Sequence, residues 1–459
     1  MTDHSNHSSS FKDPSGHVFV DNGVVKRTIN PIYFKQYHAL KSSGFFQKLF
    51  DNQLLIPHKE VFSSEEKIII QPEQIPFITY PYEWSFNQYK EAALLTLKLQ
   101  KFALEHGFSL KDASAFNVTF YNGKAVFIDT LSFDFYKENT PWRAYKQFVT
   151  HFFGPLVLAH FNGSEMLKLT STFLDGIPVK TIASLLPYKT KFSPTLYSNI
   201  HLLAKFEDKH NEEDNKGKAT IALSKTKQLN IIKSLYNYIR SLELKESSEW
   251  EDYYNKINYS NDAFQEKSNV INQWILALKA NTVIDVGGND GTFVRKITSK
   301  LSHALVCDID NNAIDINYKK TKLNNETFIT PFVLDVLNPS ASVGFNSEER
   351  FSFLKRIKDF APDVTLALAV IHHMSLSGNI TFNMSAQFFA SFSKQLIIEF
   401  PKRKDSWVQR LLNSKADFKD YFDFYNQENF EKEYLKYFDI TEKYDIKDTQ
   451  RVLYLLEAK

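Results

Sequence analysis

The sequence predicts an α/β protein of two domains: a C-terminal doubly wound sheet with parallel strands, preceded by an α+β domain. Three observations predict it. Across the second half, short β-rich runs alternate with polar, helix-compatible stretches, the pattern of strands joined by helical crossovers. Residues 205–227 are charged and poor in large apolar side chains, which marks a loop or linker. The stretch VIDVGGNDGTF, Val283 to Phe293, runs from an apolar strand through glycines toward a helix start.

At 459 residues the chain is long for one core. Residues 1–15 are polar and expected to be disordered, and 16–204 form the α+β domain. In that domain HVFVDNGVVKRTI reads as a hairpin, Ile32 to Phe50 as a helix, and KIIIQPEQIPFITYPYEW as two further strands. Phe86 to His106 is a long helix, and Pro141 to Leu203 is helical, with FVTHFFGPLVLAHF as buried core. Residues 205–245 are the charged linker and a connecting helix, in which Leu229, Ile232, Leu235, Ile239 and Leu242 recur at helical spacing. The second domain, 246–459, opens on a helix capped by Ser247 or Ser248. Its strands are NTVIDVG, HALVCDID, FITPFVLDV, PDVTLALAV, QLIIEF and RVLYLLEA.

Composition narrows the function. A net charge of +2 gives no broad field for nucleic acid or an anionic membrane, though it leaves room for a local basic groove. The single cysteine, Cys307, excludes a disulfide framework and a thiolate zinc site within the chain, and no metal centre is expected. The start MTDHSNHSSS lacks the apolar core of a signal peptide, and Phe148 to Phe161 is too short and interrupted to span a bilayer. A cytoplasmic protein is expected; its oligomeric state is not legible.

In the hinge, the strand ends at Val286 and a helix begins near Thr292. Gly287 and Gly288 let the backbone turn and a ligand approach, Asn289 tolerates a left-handed conformation, and Gly291 closes the turn. The helix N-terminus then offers free N–H groups to the crevice. A dinucleotide fingerprint G-x-G-x-x-G is absent. The hinge reads D-x-G-x-x-x-G with Asp285 ahead of it, and a carboxylate there suits a ligand bearing an ammonium better than one bearing a pyrophosphate. A plain tight turn is the bland reading. The motif resembles motif I of class I S-adenosylmethionine (SAM)-dependent methyltransferases, usually D/E-x-G-x-G-x-G, with Asn289 in place of the middle glycine. The resemblance implies a Rossmann-like domain in which Asp308, beside Ile309, accepts the ribose hydroxyls, with Asp310 as alternate. It places Asp335 near the adenine amino group, Val336 on the ring and Ala369 at the fourth strand end. Each acid alone reads more simply as a helix cap or turn residue.

After the fourth strand, ALAVIHHM carries His372 and His373, either of which is a candidate base for a hydroxyl acceptor or a packing residue; Glu399, ending LIIEF, is the third candidate catalytic group. No N-P-P-Y segment follows the fourth strand, and Cys307 is not placed for carbon methylation of cytosine. A small molecule, sugar or lipid-linked saccharide is the expected acceptor. SEWEDYYNKINYS, VLDVLNPSASVGFNSEERFSFL, LALAVIHHM and IIEFPKRKDSWVQRLL resemble a bacterial methyltransferase-like family that includes rhizobial host-specificity nodulation proteins. That likeness covers most of the chain and leaves the acceptor open.

The first domain carries LKDASAFNVTFYNGKAVFIDT, in which Asp112 and Asn117 are spaced D-x-x-x-x-N and Asp129 follows a hairpin turning at Asn122-Gly123. That order resembles the catalytic base, metal-binding amide and metal-binding acid of protein and aminoglycoside kinases, with Lys26 as the phosphate-reaching lysine. ATP and magnesium are the implied ligands. There is no glycine-rich loop, Leu110 stands where histidine is usual, and IDT replaces D-F-G. An unrelated α+β domain with three loop residues is the alternative. The readings that compete with a plain methyltransferase are a bifunctional methyltransferase/phosphotransferase and a non-catalytic SAM- or nucleotide-binding scaffold.

Overall fold

The computed structural model describes residues 7–206, 222–245 and 260–459. The chain forms two compact units. Unit 1 is Met1–Glu246 with Val343–Arg350, and unit 2 is Ser247–Ser342 with Phe351–Lys459. The expected helix at SSEWEDYY and most of the 205–227 segment lie outside the described residues.

Unit 1 opens with a hairpin, β1 (Val18–Asp21) and β2 (Val24–Ile29), turned by Asn22 and Gly23 at φ 51° and 78°. With β3 (His58–Ser63) and β4 (Ile68–Pro72) it forms an antiparallel sheet in the order β1-β2-β4-β3. The helix expected over Ile32–Phe50 is two helices, Phe34–Ser42 and Phe45–Asp51. Gly44 divides them at φ 70°, a left-handed position that breaks the ladder. The long helix Phe86–Glu105 is capped by Ser85 and buries Leu95, Leu97 and Leu99. After it, β5 (Phe108–Leu110) pairs with β8 (Phe133–Phe135) around the hairpin β6 (Val118–Tyr121) and β7 (Lys124–Phe127).

Two expectations need correcting here. Residues 7–15 are not disordered. The His7 backbone N–H donates to the Val18 carbonyl at 2.8 Å, Ser10 accepts from the Val18 N–H, and Lys12 lies 2.8 Å from Glu349. The connecting helix, Lys225–Ser241, is no linker: it packs on Phe86–Glu105 within unit 1, and Gln228 donates to the Thr140 carbonyl at 2.7 Å. Its buried stripe of Ile232, Leu235 and Ile239 needs a partner face, and that helix supplies it.

Unit 2 is a seven-stranded sheet in the order β11-β10-β9-β12-β13-β15-β14. The strands are β9 (Thr282–Val286), β10 (His303–Asp308), β11 (Ile329–Val333), β12 (Val364–Ala367), β13 (Gln395–Pro401), β14 (Phe438–Asp445) and β15 (Arg451–Ala458). The first five are parallel, as expected. RVLYLLEA departs from that expectation, because β15 runs antiparallel to both β13 and β14. From β9 the chain moves outward through β10 and β11, then returns to lay β12 on the other side of β9. That reversal opens a crevice at the carboxyl end of β9, where ligands of doubly wound sheets bind. Beneath the crevice, Phe264, Ile271 and Ile275 of the helix Asn261–Ala277 pack with Val283, Phe293 and Leu366.

Candidate functional site

A cavity of about 280 Å³ lies at the carboxyl ends of β9 to β12, at the small end of the range of roughly 300–1,000 Å³ typical of ligand pockets. Its floor is the turn after β9. Gly287 has φ 71°, and a Cβ there would stand 2.5 Å from Val370 Cγ2. A Cβ on Gly288 would stand 2.8 Å from the Asp285 carboxyl carbon. Only glycine fits either position. Asn289 takes the left-handed conformation, φ 50°, and its N–H donates to Asp308 Oδ2 at 3.0 Å.

Asp285 is 1% exposed, lines the cavity, and neither of its carboxylate oxygens has a hydrogen-bond partner. Burial pushes its pKa up to about 7, against the pull of the Lys267 ammonium. Asp308 also lines the cavity. Burial raises it to about 6, although the N–H groups of Asp310 and Asn289 both donate to it. Asp335, beyond the end of the neighbouring β11, also lines the cavity, with one oxygen accepting from the Leu337 N–H at 2.9 Å. Ile309 and Val336 line the cavity beside them, and Ala369 lines it from the end of β12. Ala369 is held at φ 57°, a strained conformation for a residue with a side chain, of the kind concentrated at functional sites.

Gly291 does not line the cavity. Its φ is 76°, and a Cβ would meet Arg295 Nη1 at 2.6 Å and Asn317 at 2.8 Å, so glycine is required there by packing. The helix that follows, Thr292–Lys296, has five residues, and Asp290 Oδ1 already accepts from the Thr292 N–H at 3.1 Å. The expectation of free N–H groups facing the crevice does not hold for that group.

The three candidate catalytic residues separate. His373 lines the cavity beside Met374 and Ser377. Burial, reinforced by the Arg451 charge, pushes its pKa down to about 4. His372 is 2% exposed and off the lining, its ring 4.2 Å from that of His373, and burial holds it well below the usual imidazole range. Glu399 faces the core, not the crevice. It is fully buried, 2.9 Å from Lys267 Nζ and 3.4 Å from Arg451 Nη1, while Arg451 Nε binds Asp405 at 3.0 Å. Burial alone would raise the Glu399 pKa, but Lys267 and Arg451 outweigh it and hold the carboxyl below its ordinary value. The placement follows from charge: a buried lysine and arginine need an acid between them.

Lys267 is the charged lining residue that sequence reasoning missed, along with apolar wall residues such as Leu368, Val370 and Met374. It sits on the buried stripe of the helix Asn261–Ala277, with Phe264 before it and Ile271 after it. A lone lysine on an apolar stripe is the available signal. Its ammonium stands 4.4 Å from the Phe293 ring centre.

In unit 1 the kinase-like residues come together in part. Asp112 accepts from the Ser114 N–H at 2.9 Å and from Gln147 at 2.8 Å, and burial with the nearby Asp129 charge raises its pKa. Ser132 links Asn117 and Asp129, at 3.3 Å and 2.5 Å. Lys26 is elsewhere, paired with Asp21 at 2.7 Å, and Arg27 forms the ion pair with Asp129. Neighbouring residues of a strand face opposite ways, so the inward position falls one residue later than expected. Among the described residues, no group of His, Cys, Asp or Glu is arranged to hold a metal ion, and no helix is long and apolar enough to cross a membrane.

No protein-family model matches the chain. It is 29% identical over 464 residues to nodulation protein NoeA of Rhizobium meliloti strain 1021, covering 98% of this chain and 95% of that one. Among solved structures, it is similar to the N-methyltransferase NodS of Bradyrhizobium japonicum WM9 in complex with S-adenosylhomocysteine, with 11% identity and a TM-score of 0.31. That match covers 46% of this chain and 99% of NodS. It is also similar to the magnesium protoporphyrin IX methyltransferase ChlM of Synechocystis PCC 6803, with 16% identity and a TM-score of 0.31, covering 46% of this chain and 93% of ChlM.

Proposed function

We propose that the protein is a SAM-dependent methyltransferase whose cofactor site is the cavity of unit 2. The observation that carries the reading is Asp285: a buried carboxylate, without a hydrogen-bond partner, at the floor of a cavity that only glycines keep open. A buried acceptor of that kind calls for a cationic donor. The residues fit SAM. Asp285 would hold the amino-acid ammonium, Asp308 the ribose hydroxyls, and Asp335 the adenine amino group, with Ile309 and Val336 against the ring. Bound there, SAM supplies a methyl group activated by its sulfonium.

The chain's own part is binding, exclusion of water and proton handling. The mostly apolar walls, Leu368, Val370 and Met374 among them, keep water from the reacting centre. Lys267, fixed by Glu399, sets the charge beside Asp285. His373 is the group placed to take a proton from an acceptor hydroxyl, and its low pKa keeps the imidazole neutral throughout the physiological range. We read the acceptor as a hydroxyl of a small molecule or saccharide. His372 acts behind His373, as packing.

We read unit 1 as kinase-like in its loop arrangement but without phosphoryl transfer. The supporting observation is the Arg27 guanidinium on Asp129, where a kinase needs a carboxylate available to metal. Calorimetric titration of the intact protein with SAM, and separately with ATP plus magnesium, tests both readings. SAM binding without ATP turnover is the expected result. Absence of SAM binding would refute the methyltransferase reading, and phosphoryl transfer from ATP would refute the reading of unit 1.

A further inference from the structure

Unit 1 carries a patch that its core does not explain. Between Pro187 and Pro194 a short helical knuckle, Tyr188–Phe192, presents Tyr188 at 70% and Phe192 at 76% exposure, their ring centroids 5.8 Å apart. Leu185 and Phe206 are also exposed. The knuckle is anchored from below by the buried Thr190, whose hydroxyl donates to the Pro187 carbonyl at 2.7 Å and lies 2.8 Å from His201 Nε2. Rings held outward on a rigid, well-anchored turn are an informative departure from ordinary surfaces.

The described segments that carry and flank these rings are charged with one sign. Residues 181–206 and 222–242 contain Lys189, Lys191, Lys205, Lys225, Lys227, Lys233 and Arg240, and neither Asp nor Glu. The chain as a whole is nearly neutral at +2, so this is a local concentration. The lysines lie over aromatic rings: Lys191 is 4.7 Å from the Tyr188 ring centre, Lys205 5.5 Å from Tyr197, and Lys189 5.4 Å from Phe161. The helix Lys225–Ser241 packs against Pro194–Leu196 and extends the basic surface with the exposed Lys227, Lys233 and Arg240. Glu207 and the acids after it lie outside the described residues. Rings that enter the acyl boundary, ringed by ammonium groups that reach lipid phosphates, are the chemistry of a peripheral membrane contact.

We propose that this face of unit 1 docks on an anionic phospholipid surface, with Tyr188 and Phe192 inserted and Lys189 and Lys191 on the headgroups. The proposal is independent of the reading of unit 2. It is tested with the full chain by co-sedimentation with vesicles of phosphatidylcholine alone and of phosphatidylcholine mixed with phosphatidylglycerol. Binding should require phosphatidylglycerol and weaken as salt is raised. The double variants Lys189→Glu/Lys191→Glu and Tyr188→Ser/Phe192→Ser should each lower partition by about tenfold or more. Both pairs are exposed, so their melting temperatures should match the parent. Failure of the parent to bind, equal binding to neutral vesicles, or binding unchanged in either variant would overturn the proposal. So would equally tight capture of duplex DNA or of polyglutamate, which would make the patch a general polyanion or acidic-protein site.

Discussion

Replacing Asp285 by Asn should make the free protein more stable and the cofactor complex weaker. The side chain is buried without a hydrogen-bond partner, and its pKa is raised from 3.8 to about 7. The unfolded chain therefore ionises first as pH rises. Stability attached to this group is greatest below the unfolded value, falls between about pH 4 and pH 7, and stays reduced above that. Raising the carboxyl to about 7 corresponds to a penalty of about 4 kcal/mol at pH 8. Asp285→Asn keeps the shape and removes the charge, so it should recover up to that amount. In melting temperature this is an increase of up to roughly 10 °C at pH 8, vanishing near pH 4. SAM affinity should move the opposite way. Loss of a charge-assisted bond to the ligand ammonium costs about 1.5–3 kcal/mol, roughly a ten- to hundredfold weaker Kd. For the parent protein, affinity should fall as pH drops below about 7 and level off at a loss like that of Asp285→Asn, because a protonated Asp285 no longer offers the ammonium a charged acceptor. Melting curves across pH and calorimetric SAM titrations read both signs. A variant that melts lower at pH 8 would mean that the carboxylate has a stabilising partner in the free protein. A variant that binds SAM as tightly as the parent would remove Asp285 from the site.

Three further outcomes are expected. Gly287→Val should lose measurable SAM binding, because its Cβ would meet Val370 at 2.5 Å in a backbone conformation that branched residues resist; parental affinity by calorimetry would contradict this. His373→Ala should lower turnover by roughly a hundredfold while leaving SAM affinity nearly intact, and the parent's rate at saturating SAM should vary little with pH above about pH 5, since the imidazole is pushed down to about 4; an inflection at neutral pH under saturating SAM would assign the proton step elsewhere. Arg27→Ala should lower the melting temperature of unit 1 by several degrees, an effect of about 2 kcal/mol, by leaving the buried Asp129 charge near Asp112; an unchanged melting curve would mean the ion pair contributes nothing.

The strand-end carboxylates were readable because each closes a contiguous apolar run: Asp285 closes TVID, Asp308 closes LVCD and Asp335 follows FVL. Such runs identify buried parallel strands, and the acid marks the end where the chain leaves the core. The direction of β15 was not readable. RVLYLLEA is buried over most of its length, like the parallel strands, and only its pairing with β13 and β14 shows that it runs the other way. β14, FDITEKYD, escaped detection because it is an edge strand with mostly exposed side chains. Glu399 was misplaced because β13 runs on to Pro401, and an acid closing an apolar run looks the same in sequence whether it faces a crevice or a buried cation. Its partner Lys267 lies 132 residues earlier, a separation no local pattern can bridge. In unit 1, the difference between Lys26 and Arg27 is a single step of strand register, which decides which of two adjacent cations reaches Asp129.

The buried ion group around Glu399 also has a meaning for biosynthesis. Lys267 emerges from the ribosome 132 residues before Glu399, and Arg451 follows Glu399 by a further 52. Until Glu399 appears, a nascent chain carries a lysine that its core cannot accept; until Arg451 appears, Glu399 lacks its second counter-charge. Arg451 stands at the first position of β15, the strand that joins β14 to the rest of the sheet. The ion group that holds Lys267 at the cavity is therefore among the last parts of unit 2 to be completed, and a chain released before Arg451 would be left with unbalanced buried charge. Released chains that end before Arg451 should be more protease-sensitive than the full chain and should lose SAM retention together with that resistance.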